Sequence, residues 1–264
     1  MHLISVEEVE RRAREAGLGE AAIVIDPLDD AMPRIEIAAH LAIYPASMIK
    51  LPIAMVLAAL CEARAYAWAD EVVVDEGNLT TNDAPSPFVP GYRSDLGAFA
   101  HAMLATSDNV ATNVLIDVLG RETITAACVA FGLSDTAIHR KLSGSLPLIA
   151  DPAATGRNQH SAADAASLLR IVARDRTATE GGRRVYAALE AQIWNDKLSR
   201  GTRPGDTFAH KTGDTDEVSH DGGILTLPSG RRFVVVAYTT LPSTPDADAR
   251  HAAFMTALRP ALGG

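Results

Sequence analysis

The chain has 264 residues, a formal net charge of −9, and 47% hydrophobic but only 5% aromatic residues. That length buries a core as one large domain or two small ones. The acidic balance speaks against a general nucleic-acid binder, and no apolar run reaches the ~18 uncharged residues of a membrane span.

The first seventeen residues, "MHLISVEEVERRAREAG", read as an amphipathic helix with Val6, Val9 and Ala13 inward and Gly17 at its end. They lack the basic, apolar and small-residue regions of a signal peptide. The expected compartment is the cytoplasm, or the periplasm or exterior if a leader has been removed. "EAAIVID" (Glu20 to Asp26) and "RIEIAAHLAIYP" (Arg34 to Pro45) have strand character, split by the turn-rich "PLDDAMP". Helical patterns then take over: Ser47 to Ala63, Ser94 to Thr106, Asn109 to Leu119, Arg121 to Phe131, Ala162 to Asp175 and Gly182 to Gln192. Strand signals return in "DTFAHKTGD", "HDGGILTLP" and "RRFVVVAYTTL", the last two joined by a hairpin at "PSG", and a helix over "DADARHAAFMTALRPAL" closes the chain.

This order predicts an α+β fold: an antiparallel sheet built from both chain ends (1–45 and 199–264), flanked by terminal helices, with an all-helical subdomain (46–198) inserted. Cys61 and Cys128 both sit in apolar helical sequence and read as buried free thiols. The two long segments Asp75 to Asp95 and His139 to Ser161 lack periodicity and are candidate walls of a site. The histidines show no metal-ligand spacing, so neither metal nor cofactor is expected. A monomer acting on a small molecule, away from membrane and nucleic acid, is the expected form.

Chemistry concentrates in three places. In "YPASMIKLPIAMVLAAL", Ser47 and Lys50 stand three residues apart at the head of an apolar helix. A serine needs a base to become nucleophilic, and a lysine serves if burial or a nearby cation lowers its pKa. On its own such a pair usually means a helix cap followed by a surface lysine. "SDN" (Ser107, Asp108, Asn109) falls at a junction between helices, where capping is the plainer explanation. "KTG" (Lys211, Thr212, Gly213) lies on a strand near a turn.

S-x-x-K, S-D-N and K-T-G in this order, separated by 60 and 104 residues, resemble the class A β-lactamase and penicillin-binding family over nearly the whole chain. The resemblance implies a serine hydrolase that forms an acyl-enzyme at Ser47, with Lys50 as base or proton relay and Ser107 passing a proton to the leaving nitrogen. Asn109 would bind the acyl-side amide, and Asn113 would brace the facing loop. Lys211 would supply charge, Thr212 would bind a substrate carboxylate, and Gly213 completes the motif. The backbone N–H groups of Ser47 and Asp214 would form the oxyanion hole. His220, beside Asp221, would border the carboxylate subsite or else be a strand-end pair.

The pattern departs from the family at the facing loop. Class A enzymes carry a glutamate there that activates the hydrolytic water, whereas "RKLSGSLPLIADPAATGRNQHS" contains none. Its one acid, Asp151, is either the substitute base or the start of the turn at Asp-Pro. Acylation is therefore expected to be easier than release. The alternatives are a D-alanyl-D-alanine-type peptidase or small-ester hydrolase, and a non-turnover β-lactam or peptidoglycan sensor.

Overall fold

A computed structural model describes residues 4–29 and 32–263. The first helix, α1 (Val6–Glu15), is capped by Ser5, whose hydroxyl accepts the Glu8 N–H. Val9 and Ala13 face the core, but Val6, expected inward, is 40% exposed because it lies in the first turn on the outer side.

The main sheet has the order β2-β1-β7-β6-β5, from β1 (Ala22–Pro27), β2 (Ile35–Ile37), β5 (Thr207–Asp214), β6 (Ser219–Thr226) and β7 (Arg232–Thr239), every pair antiparallel. Both chain ends thus contribute to one sheet. Between its first two strands the turn "PLDDAMP" includes Asp30 and Ala31, which lie outside the described residues. The second strand is much shorter than its apolar sequence suggests: Ala38 adopts φ +48°, and the chain turns away there. The β6–β7 hairpin closes where Leu227 and Arg231 pair, with Gly230 at φ +84°.

Alternate residues of β1 and β7 point to opposite faces, and both faces are covered. Ile23, Ile25, Val235 and Ala237 pack with α1 and with α8 (Pro245–Leu258). Val24, Val234, Val236 and Tyr238 pack against the inserted helices. This explains why these strands read as continuous apolar runs.

The insert comprises α2 (Lys50–Glu62), α3 (Leu96–Ala105), α4 (Asn109–Leu119), α5 (Arg121–Ala130), α6 (Ala162–Asp175) and α7 (Glu180–Glu190). The central helix α2 touches all five others and is buried from Lys50 to Ala58, which accounts for its apolar character all round. The last of these helices starts two residues earlier than its pattern suggests because Thr179 caps it, accepting the Gly182 N–H. A two-stranded sheet of β3 (Glu71–Val73) and β4 (Arg93–Asp95) brackets the first long loop, and its strands are too short to leave a sequence signal. Among the described residues no helix is long and apolar enough to cross a membrane. Cys61 and Cys128 are both free, and burial pushes their thiols up to about 11 and about 12, far from a reactive thiolate.

Candidate active site

Ser47 does not lie on α2 itself but on a 3₁₀ turn, Ala46–Ile49, that feeds it. A 3₁₀ turn has three residues per turn, so side chains at i and i+3 align directly. Lys50 Nζ accordingly lies 2.9 Å from Ser47 Oγ. Ala46, just before the serine, is held at φ +46°, and Ser107 across the cleft at φ +61°. Left-handed backbone at non-glycine residues costs on the order of 1 kcal/mol each and persists only where the surroundings enforce it.

Lys50 is fully buried, with three further acceptors around its amine: Ser107 O at 2.6 Å, Asn109 Oδ1 at 2.7 Å and Ser107 Oγ at 3.0 Å. The carbonyl and the carboxamide oxygen can only accept. A neutral amine donates its two hydrogens to them and turns its lone pair toward a hydroxyl. Burial, reinforced by the Lys211 charge, holds this amine well below the usual lysine range. The arrangement can therefore take the Ser47 proton.

Lys211 is also fully buried and donates to Ser107 Oγ at 3.0 Å and to its neighbour's carbonyl, Thr212 O, at 2.8 Å. Burial, opposed in part by the Asp214 carboxylate and reinforced by Lys197, brings its pKa down to about 7. Ser107 Oγ thus sits between two amines. The Lys211–Thr212 contact also orients the strand: β5 is the sheet edge, Thr212 C=O points off it, and Asp214, two residues on, presents its N–H to the same side. Gly213 is required by packing, since a Cβ there would lie 2.9 Å from Pro45 O and 3.2 Å from Met48 N. That close approach brings the edge strand against the turn bearing Ser47.

The first turns of α4 tie the two long loops to this cluster. Asn109 accepts from Lys50, donates one amide hydrogen to Thr81 O at 2.9 Å, and its N–H is taken by Asn82 Oδ1. Asn113, one turn later, donates to Asn78 O and to Leu142 O and accepts the Leu142 N–H at 2.7 Å. The loops also meet each other through Thr81 Oγ1 and Ser145 Oγ at 3.0 Å, and Gly144 fits because a Cβ would fall 2.0 Å from Thr81 O. Between them lies a groove of about 550 Å³ walled by Leu79, Ala84, Phe88, Val110, Leu146 and Ile149, with no ionisable side chain in its lining.

Two expected site residues are placed otherwise. Asp151 has both oxygens committed, Oδ1 to Arg121 at 2.6 Å and Oδ2 to the Lys141 N–H at 2.7 Å. It fastens the loop to α5 while its carbonyl accepts the Ala154 N–H, contacts that favour the turn at Asp-Pro over the water-activating base. His220 is fully buried: its Nε2 donates to Tyr44 O at 2.8 Å, its Nδ1 accepts the Thr239 N–H at 3.1 Å, and its ring stacks on Tyr238. Burial lowers its pKa to about 4, so it is a neutral strut behind the Ser47 turn and not a substrate contact. Asp221 is likewise internal, paired with His210 at 2.8 Å and with the Leu198 N–H. Thr212 is 3% exposed on the edge strand.

Sequence reading missed Lys197, which is 4% exposed, paired with Asp214, and donates to His220 O at 3.1 Å. No local pattern marks it, because both partners are strand residues distant in sequence. Leu142 was missed because its partner, Asn113 on α4, is likewise distant in sequence. Among the described residues no group of side chains could hold a metal ion.

No curated protein sequence matches the chain. Among solved structures, a PBP-A mutant in its acyl-enzyme complex with penicillin G superposes with a TM-score of 0.84 at 21% identity, covering 97% of this chain and 96% of that one. A β-lactamase from Sphaerobacter thermophilus gives 0.82 at 22% identity, covering 98% of each chain. The TLA-1 extended-spectrum β-lactamase gives 0.82 at 14% identity, covering 97% of this chain and 99% of that one. These establish a shared fold. The family described as the beta-lactamase enzyme family matches residues 5–258, nearly the full length, and this chain, a serine β-lactamase-like hydrolase, belongs to it.

Proposed function

We propose that the protein takes the acyl group of a β-lactam, or of a related amide or ester, onto Ser47 and releases it slowly. The observation that carries this reading is the cage around Lys50, whose two pure acceptors leave the amine lone pair for the Ser47 proton.

In the acylation step Ser47 Oγ attacks the carbonyl carbon while its proton passes to Lys50. The oxyanion forms against the N–H groups of Ser47 and Asp214, donors worth about 3 to 4 kcal/mol each in such sites. The C–N bond then breaks, the nitrogen takes the Ser107 hydroxyl proton, and Lys50, 3.0 Å from Ser107 Oγ, returns its proton to that oxygen. Lys211 stabilises the transient negative charge on Ser107, Asn109 offers its second amide hydrogen to the acyl-side carbonyl, and Asn113 fixes the facing loop. The uncharged groove beside Asn109 receives the acyl substituent.

Release requires a water with a base, and the facing loop supplies none: its one acid is spent on Arg121 and Lys141. Loss of such a base is typically worth about 10²-fold. The uncharged groove also weighs against a stem peptide with an ionised acyl-side chain and favours an apolar acyl group over the peptidase alternative.

The test is intact-mass measurement over time after mixing with a penicillin or a chromogenic cephalosporin. The expected result is an adduct on Ser47 that forms within minutes and decays over a much longer period. Absence of any adduct refutes the proposal, and a permanent one favours a non-turnover sensor.

A further inference from the structure

A β-lactam or peptide acyl donor ordinarily presents a carboxylate on its leaving-group side, and two of the cations near the end of β5, Lys197 and Arg157, are already paired with the protein's own acids. Lys197 reaches the edge of β5 from behind and is almost wholly buried; its ammonium pairs with Asp214, whose side chain is 32% exposed. Asp214 stands two residues after Thr212, on the same strand face, so its carboxylate lies where an anionic leaving group would meet Thr212. At the rim, Arg157 lies over the Tyr44 ring at 4.3 Å and is paired with Glu217 at 2.8 Å. A further exposed acid, Asp83, acts on the charges of both site lysines from the opposite loop. Lys50 is needed neutral as a base, and Lys211 donates to Ser107 Oγ and Thr212 O rather than to a carboxylate.

We propose that Asp214 is a specificity-determining residue that occupies the carboxylate position of the cleft, so the preferred substrates are acyl amides or esters whose leaving group carries no carboxylate. This rests on the acyl-enzyme reading above and refines it. An incoming carboxylate must either displace Asp214 from Lys197 or sit beside it unpaired, and like charges at contact in a partly desolvated cleft repel strongly. A neutral leaving group meets an already satisfied pair. The backbone N–H of Asp214 can still serve the oxyanion, so the residue is compatible with catalysis while excluding an anion.

The test measures the second-order rate of Ser47 adduct formation with one penicillin as free acid and as methyl ester. In the unmodified protein the ester is expected to react at least as fast as the acid; an acid that reacts more than about tenfold faster overturns the inference. In Asp214→Asn the carbonyl geometry is kept and Lys197 is released, so the acid-to-ester rate ratio is expected to rise by at least about tenfold. An unchanged ratio in a variant that unfolds at a similar temperature overturns it as well. If the variant does not fold, the comparison in the unmodified protein decides alone. Absence of an adduct from both compounds in both proteins removes the acyl-enzyme reading itself, an outcome distinct from adducts with an unaltered ratio.

Discussion

The two walls of the cleft are built to different ends. On one side the partly exposed Ser47 and Ser107 meet the buried Lys50 and Lys211 in one hydrogen-bonded cluster, with left-handed backbone at Ala46 and Ser107. On the other, the loop of residues 139–161 spends its polar groups on its own shape: Asn158 Oδ1 accepts the N–H groups of His139 and Arg140, and Asp151 fastens to Arg121. The first wall can make a covalent bond, and the second shapes the space around it without supplying a base. On the function proposed above, forming and hydrolysing an acyl-enzyme would draw on different walls.

The strongest way to break the contrast is on the first wall. Lys50→Ala removes the base, and acylation by a penicillin is expected to fall by about 10²- to 10⁴-fold, measured as the rate of mass-adduct formation. The pH profile carries the sign. Lys50 is depressed, so its reactive neutral form persists to lower pH than for an ordinary lysine, and the unmodified rate should climb as pH rises and that proton is lost. Above about 7 Lys211 loses its charge, and the rate should flatten or fall. The acid limb should vanish in Lys50→Ala; if it remains, another group sets it and Lys50 is not the base.

A second test gives the opposite wall what it lacks. Asn113 pins Leu142 by both backbone atoms, one helical turn from the asparagine that touches Lys50. Leu142→Glu is expected to speed release of the acyl group by about 10²-fold with acylation little changed, read as the decay rate of the adduct. Burial, only 6% exposed at Leu142, would raise the new carboxyl's pKa toward the range useful for a base near neutrality. Unchanged decay in a folded variant would show that the loop, and not its missing carboxylate, limits release.

What the sequence disclosed follows the same division. The three short motifs, the sheet from both chain ends and the limits of α4 and α6 were legible because each is encoded locally, by periodicity, by caps such as Asp108 and Ser161, or by a fixed spacing. The loops were not, since their order comes from pairings far apart in sequence: Asn113 with Leu142, Thr81 with Ser145, Lys197 with Asp214. The choice between the two readings of His220, and between those of Asp151, was closed to the sequence for this reason, as polar residues near a motif look functional until their partners are known. The 3₁₀ turn at Ser47 was equally hidden, because an apolar helix and the short turn that enters it share one composition.

The smallest expected effect concerns Asp151. Asp151→Asn should leave both formation and decay of the adduct within about twofold, since both carboxylate oxygens are taken up by Arg121 and the Lys141 N–H. It should instead lower stability by about 1 to 3 kcal/mol, measured by denaturant unfolding, because Arg121, whose side chain is 16% exposed, loses its partner charge. The loop ends so fastened still carry Leu146 and Ile149 in the groove wall, so a small loss of preference for bulky acyl groups should accompany the destabilisation. A fall in adduct decay without loss of stability would reverse the assignment and return Asp151 to the chemistry, making the second wall an active partner of the first.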